Sequence, residues 1–306
     1  MQNKIELLIK NISSVIVGNE RAIEQTLITL FSKGHLLIED APGLGKTLLA
    51  RSLSSSINSN FKRIQCTPDL LPSDITGVSI FNSNSDEFVF KPGPLFTNIL
   101  LVDEINRTTA RTQSALLEAM AEKQVSVDSK TYILPTPFMV IATQNPIEHY
   151  GTYLLPEAQL DRFFMKISLG YPTLDSEIRI IKQETQEKSN IKSLKTVLSR
   201  EDILEIQSQI HKVFIHDSLV KYIASIIIKT REHKGLILGA SPRGSIALTQ
   251  AAKALTFIKG KESVTPDIIK LLVQPVLAHR LILKNQSSVA LILDEIINSV
   301  EVPILP

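Results

Sequence analysis

Apolar positions in the first half of the chain follow two rhythms. Short unbroken runs, His35–Glu39 (HLLIE), Ile99–Asp103 (ILLVD) and Phe138–Thr143 (FMVIAT), have the length and composition of buried strands. Before and between them, apolar residues recur at helical spacing: Ile5, Leu8, Ile9, Ile12 and Ile16 predict an amphipathic N-terminal helix, and Thr47–Ile57 a second helix behind a glycine-rich turn. Buried runs alternating with helices imply a parallel sheet covered on both faces, an α/β arrangement. After Gly170-Tyr171-Pro172 the strand-like runs largely disappear, and Ile203–Val213, Leu219–Thr230 and Ser245–Lys259 read as helices of a bundle. The expected organisation is an α/β domain over residues 1–172 and a smaller all-α domain over 173–306, with the boundary near Tyr171–Asp175.

Two stretches interrupt the α/β pattern. Residues 74–94 carry Gly77, Asn82, Asn84, Gly93 and two prolines between short apolar pairs, which predicts an irregular or hairpin-like insertion. In Gln124–Pro137, Val125 and Val127 alternate, and Tyr132 and Leu134 do so again beyond an Asp-Ser turn, so a β-hairpin is expected.

The glycine-rich turn carries chemistry. A phosphate cradle needs a strand that stops abruptly, a loop whose backbone N–H groups point inward, and a helix whose positive end faces the anion. LLIE-DAPGLGKT-LLARSL supplies all three. Gly43 and Gly45, with Pro42 and Leu44 between and before them, let the backbone approach closely; Lys46 can reach the outer phosphates and the Thr47 hydroxyl can ligand Mg²⁺, with Leu48 following. The usual pattern, G-x-x-x-x-G-K-[ST], has glycine where this chain has Asp40. An aspartate tolerates positive φ better than most residues, so the turn is expected to survive with the carboxylate directed away from the phosphates.

Hydrolysis also needs a carboxylate for the metal shell and a base for the attacking water, delivered at the end of a buried strand beside the loop. Asp103 is the candidate for the first and Glu104 for the second. Phe138–Pro146 (FMVIATQNP) is another buried strand ending in an amide, and Asn145 is the candidate to hold the water or touch the γ-phosphate.

These pieces, in this order, resemble the AAA+ ATPases, and among them the MoxR family. The resemblance continues through INRTTARTQSALLEAMAEKQVSV (105–127), LLPEAQLDRFFMKI (154–167) and GASPRGSIAL (239–248). It implies an AAA+ P-loop core with a parallel sheet between helices, a helix-2 insertion over about 74–94, a pre-sensor-1 hairpin over about 124–135, and a smaller all-α lid. In that resemblance Ile16, Val17 and Gly18 form the adenine-side loop, Asp103 and Glu104 are the Walker B acids, Asn145 is sensor 1, Arg162 the arginine finger and Arg243 sensor 2. Arg107 and Arg111, close behind the acids, are rival finger candidates. The implied activity is ATP hydrolysis with Mg²⁺, driving chaperone-like remodelling or maturation of protein complexes, including metal cofactor insertion. A chelatase-type motor subunit, a DNA-linked AAA+ motor and an ATP-dependent scaffold are the alternative readings. The resemblance further implies a homo-oligomer, most simply a hexameric ring, a protein client, and a partner with a von Willebrand factor A domain.

Charge and cysteine content narrow the rest. Lys and Arg total 33 against 31 Asp and Glu, so nothing advertises a nucleic-acid partner. The single Cys66 is expected to be a small buried residue, and no histidine pair has metal-ligand spacing, His149 standing beside Glu148 in a loop. No secretory leader or run of about 18 apolar residues appears, so no membrane insertion is expected and the cytoplasm is the default location.

Overall fold

The computed structural model describes residues 1–84, 86–145, 153–185, 191–285 and 288–304. The first part of the chain contains helices α1 (Gln2–Ser13) and α2 (Glu20–Phe31), strand β1 (Leu36–Glu39), α3 (Lys46–Ser56), β2 (Phe61–Gln65) and α4 (Pro72–Thr76). Strands β3 (Gly77–Asn82), β4 (Glu87–Pro92) and β5 (Ile99–Asp103) follow, then α5 (Ala110–Glu122), β6 (Gln124–Val127), β7 (Lys130–Ile133), β8 (Met139–Gln144), α6 (Glu157–Leu160) and β9 (Met165–Ile167). Beyond it come α7 (Leu174–Thr185), α8 (Arg200–His211), α9 (Asp217–Glu232), β10 (Leu236–Leu238), α10 (Pro242–Ile258), α11 (Pro266–Leu277), β11 (Ile282–Leu283) and α12 (Val289–Ser299).

The main sheet has the order β2-β5-β8-β1-β9, and every pairing in it is parallel. The three strands read from sequence, β1, β5 and β8, are its centre, with every residue of β5 buried. Successive side chains point to opposite faces, so the two layers sort by alternation. Leu36, Ile38, Ile99, Leu101, Met139 and Ile141 face α1 to α3 and join one core that continues into α8 to α12. Leu37, Leu100, Val102, Val140 and Ala142 face the other way, onto Leu116, Leu117 and Met120 of α5. The helical part is therefore seated on the sheet through a shared apolar core. It also carries a small antiparallel ribbon, β10 with β11, that the helical pattern does not announce.

Two edge strands, β2 and β9, were not expected from the sequence. An edge strand is covered on one flank only, and in β2 (FKRIQ) Ile64 alone is buried, which leaves too little apolar signal to stand out.

Both interruptions are hairpins. In the first, β3 pairs antiparallel with β4. Gly77 and Gly93 close its base: the backbone there passes so near Ile75 and Lys91 that a Cβ on either glycine would meet a carbonyl oxygen. In the second, β6 pairs with β7 across Asp128 and Ser129, both at positive φ (49° and 63°), as a two-residue turn between twisted strands requires. Phe90 of the first hairpin stacks on Tyr132 of the second, ring centroids 4.0 Å apart.

A candidate active site at the phosphate-loop end of the sheet

β1 stops at Glu39 and the chain turns through residues 40–45 into α3. Gly43 (φ 85°) and Gly45 (φ 86°) take left-handed backbone, and a Cβ at either would meet nothing within 4 Å. It is the φ that demands glycine here, and the space before the loop is open. Lys46, at the first turn of α3, donates from Nζ to the Asp40 carbonyl at 2.7 Å.

Asp40 directs its carboxylate away from this opening, as the sequence leads one to expect, but by a different route. It is buried, does not take a positive φ, and accepts from Ser168 Oγ (2.6 Å), Leu169 N (2.5 Å) and Gly170 N (3.4 Å). The acid thus ties the start of the loop to the chain leaving β9, a connection glycine cannot make.

Strand β5 delivers the acids. Thr143 of the neighbouring β8 donates from Oγ1 to Asp103 Oδ1 (2.7 Å) and accepts from the Glu104 N–H (2.9 Å), so one buried hydroxyl sets both residues. Glu104 itself is left-handed, φ 57° and ψ 51°, a strained conformation for a residue with a side chain. Sequence reasoning missed the groups that hold these carboxylates. Arg63 contacts Asp103 Oδ2 through Nε (2.9 Å) and Nη2 (2.6 Å), and Nη2 reaches Gln65 Oε1 at 3.1 Å. Gln65 donates to Glu104 Oε2 at 2.7 Å, and Arg107 lies 3.2 Å from the same oxygen. The signal was present: Phe61, Arg63 and Gln65 share one face of β2 in register with β5, putting two polar side chains at the carboxyl end of the sheet, where ligands of open α/β sheets bind.

Two adjoining cavities follow the loop. One, about 360 Å³, is lined by Pro42, Gly43, Gly45, Lys46, Thr47 and Leu48 on the loop side, and by Arg63, Gln65, Asp103, Glu104, Thr143 and Asn145 opposite. The other, about 420 Å³ and more apolar, lies between the loop, with Leu44, and Ile16, Val17, Tyr171 and Ile180. Gly18 does not line it; at φ 77° it lets its loop pack against Ser176 of α7, where a Cβ would collide with that side chain. Arg162 and Arg243 line neither cavity. Arg162 is exposed on the turn after α6, Arg243 is 66% exposed with its Nη1 3.9 Å from Asp161 Oδ2, and Arg111 is exposed on α5.

Cys66 is fully buried, and burial followed by the charges of Asp103 and Glu104 pushes its thiol up to about 12, which keeps it protonated and inert. His35 is also buried, accepting from Val140 N at Nδ1 and facing the Met120 carbonyl with Nε2, each at 3.0 Å. His149 and Glu148 lie outside the described residues.

A parallel α/β core with a glycine-rich phosphate loop, followed by a helical lid, is an AAA+ architecture. Residues 35–165 match the ATPase family associated with various cellular activities (AAA), and residues 228–298 match the AAA lid domain. The chain is 47% identical to the uncharacterised protein YeaC of Bacillus subtilis, over 97% of this chain and 94% of that protein. It is 39% identical to the chaperone MoxR1 of Mycobacterium tuberculosis, over 98% of this chain and 82% of that one. A crystal structure from Cytophaga hutchinsonii, described as a candidate ATPase, superposes with a TM-score of 0.92 at 41% identity, covering 99% of this chain and 96% of its own. The chain belongs to the MoxR family of AAA+ ATPases.

Proposed function

We propose that this protein binds ATP with Mg²⁺ between the phosphate loop and the acids, hydrolyses it by direct attack of water, and uses the turnover to remodel or mature protein complexes. The observation that carries the reading is that Lys46 and Thr47 line one cavity with Asp103, Glu104 and Asn145.

The donor set suits Mg²⁺. Among the described residues no group of three or more His, Cys, Asp or Glu could hold a metal, and Mg²⁺ needs few protein oxygens when phosphate and water complete its shell. The Thr47 hydroxyl and the Asp103 carboxylate would hold it, and it would offset charge on the phosphates. Backbone N–H groups of residues 43–47 and Lys46 would grip the phosphates, and the apolar cavity beside Val17 and Leu44 would take the adenine. Glu104 would orient or deprotonate the attacking water, with Asn145 helping to place it. Gln65 and Arg107 hold Glu104 Oε2 at the cavity wall, so this oxygen must give up those contacts to take a proton from the attacking water.

Arg162 and Arg243 complete the reading. An exposed Arg162 suits presentation to a neighbouring subunit, where a guanidinium stabilises charge growing on the transferred phosphoryl group. Arg243 would sense nucleotide from the lid of its own subunit. A site completed in trans requires head-to-tail contacts that close, most simply a homohexameric ring. The relative named chaperone MoxR1 supports a protein client, insertion of a metal cofactor being one form such maturation takes, and a partner with a von Willebrand factor A domain is part of the same proposal. Near-neutral charge offers no footprint for nucleic acid.

The test is Glu104→Gln. It is expected to bind ATP like the parent while turnover falls by about 10²–10⁴-fold, the range for loss of a general base. Turnover like the parent's would overturn the assignment. Specific activity should also rise with protein concentration, and mixing Lys46→Ala with Arg162→Ala subunits should restore turnover.

A further inference from the structure

The turn that carries Arg162 is held from two sides: on the sheet side Phe163 is buried against α5 and Phe164 N donates to the His35 carbonyl at 2.8 Å, and on the other side the helical lid grips its backbone carbonyls. Arg280, in the short turn Ala278–Arg280 after α11, is 2% exposed, and its guanidinium donates to carbonyl oxygens on both sides of Arg162: Asp161 O (2.9 Å) and Phe163 O (2.7 Å). It also reaches Phe164 O (3.3 Å) and pairs with the Asp161 carboxylate at Oδ1, while Nε holds Val276 O (2.8 Å) in the last turn of α11. His279 adds a second contact to Phe163 O at 3.0 Å. The other carboxylate oxygen, Asp161 Oδ2, accepts from Ser241 Oγ (3.1 Å) at the start of α10 and lies 3.9 Å from Arg243.

We propose that Arg280 is the positioning residue for Arg162, and that the shared Asp161 carboxylate couples Arg243, the nucleotide-sensing candidate of the lid, to the arginine offered to the next subunit. The inference rests on the proposed trans role of Arg162. Its physical basis is the planar fork of arginine: five donors in fixed geometry set the backbone path on either side of Arg162, and an ammonium cannot do so. Arg243 meets the same carboxylate loosely, from a largely exposed position, so its pull on Asp161 changes when it turns to a phosphate while Arg280 stays in place. The lid of one subunit thereby sets where its own arginine arrives in the neighbour's site.

The test uses the full-length assembled protein. Arg280→Lys keeps the charge and loses the fork. It is expected to bind a fluorescent ATP analogue with unchanged Kd and to lose about 100-fold in kcat, the scale of a misplacement of about 1 Å at a reacting centre. Mixed with Lys46→Ala subunits, which offer an intact Arg162 but cannot use ATP, Arg280→Lys subunits should regain turnover, because their own sites are sound and only the arginine they export is misplaced. A residue serving its own lid alone would weaken nucleotide binding and would not be rescued. Should Arg280→Lys fail to fold, the paired Asp161→Asn, Arg280→Gln protein leaves no lone buried charge and enters the same mixing assay. Recovery for Arg162→Ala with Lys46→Ala, but none for the Arg280 variant, overturns this inference alone. No recovery in either mixture, with assembly intact, overturns the trans role of Arg162 and the inference with it.

Discussion

Restoring the usual glycine at position 40 should harm this protein. Asp40 is 6% exposed and its carboxylate holds Ser168 Oγ at 2.6 Å and Leu169 N at 2.5 Å, with a longer contact to Gly170 N. A hydrogen bond to a charged group contributes about 1.5–3 kcal/mol net, and leaving the buried Leu169 N–H without an acceptor costs about as much as losing its bond. Counting the two short bonds with incomplete additivity, and adding the backbone freedom glycine gains, Asp40→Gly should lose about 3–6 kcal/mol. At about 2–4 °C per kcal/mol for a chain of this size, Tm falls by about 6–24 °C. The same change frees the segment of Gly170, Tyr171 and Pro172, which walls the apolar cavity, so affinity for an ATP analogue should weaken too. Thermal unfolding without nucleotide and an equilibrium titration measure both. Asp40→Asn, which retains one acceptor oxygen but opposes an N–H to the backbone donors, should fall between. A glycine variant with Tm and nucleotide affinity at or above the parent's would refute the account.

Other expected outcomes concern separate parts of the molecule. Arg63→Gln removes the cation on Asp103; discounting for the half-exposed guanidinium, about 0.5–1 kcal/mol is released, and the Mg²⁺ concentration for half-maximal ATPase should fall about 2–5-fold. An unchanged or raised requirement would show that Arg63 does not compete there. Burial lowers His35 from its ordinary value to about 4, so the unfolded chain binds more protons between pH 6.5 and 4. Stability is fully present above pH 6.5 and is lost as pH falls, by about 2 kcal/mol from pH 7 to 5 for this residue. Denaturant midpoints at the two pH values should show it, and His35→Gln should flatten the slope in part, because His279, lowered to about 3 chiefly by burial, adds loss of the same sign. Gly93→Ala places a methyl group against the Ile75 carbonyl and should open the base of the β3–β4 hairpin, seen as faster hydrogen exchange over β3 and β4 with little change in β5.

What could be read from the residues and what could not divides along burial. β1, β5 and β8 are covered on both faces, so their side chains are apolar up to the polar residues at their carboxyl ends, and their limits fall within a residue or so of the sequence reading. The loop glycines, Lys46, Thr47, Asp103, Glu104 and Asn145 could be named from the sequence because the proposed chemistry calls for those residue types and the ends of buried strands fix their places, and the structure brings them to one cavity. Arg63, Gln65 and Thr143 were not, since each acts through a cross-strand neighbour that only strand order reveals. Asp40 stood out as a departure, but its partners lie on the chain leaving β9, an edge strand too short to announce itself. Arg280 was invisible for a related reason: a buried arginine in a helical region looks like any other until the turn it holds is known.

The strand order also fixes when the phosphate loop can exist. β1 has two hydrogen-bonded neighbours, and both lie far downstream: Leu36 aligns with Ile141 of β8 and with Met165 of β9. During synthesis the loop and α3 emerge early, but the strand that presents them stays unpaired until the chain has grown past residue 144, and it gains its second neighbour only past residue 167. Non-local pairings of this kind close late and slowly. A ribosome-bound or truncated chain ending before β8 would therefore carry every residue of the loop and still offer nucleotide no rigid cradle, so nucleotide binding by nascent chains of increasing length would report the moment at which the sheet closes.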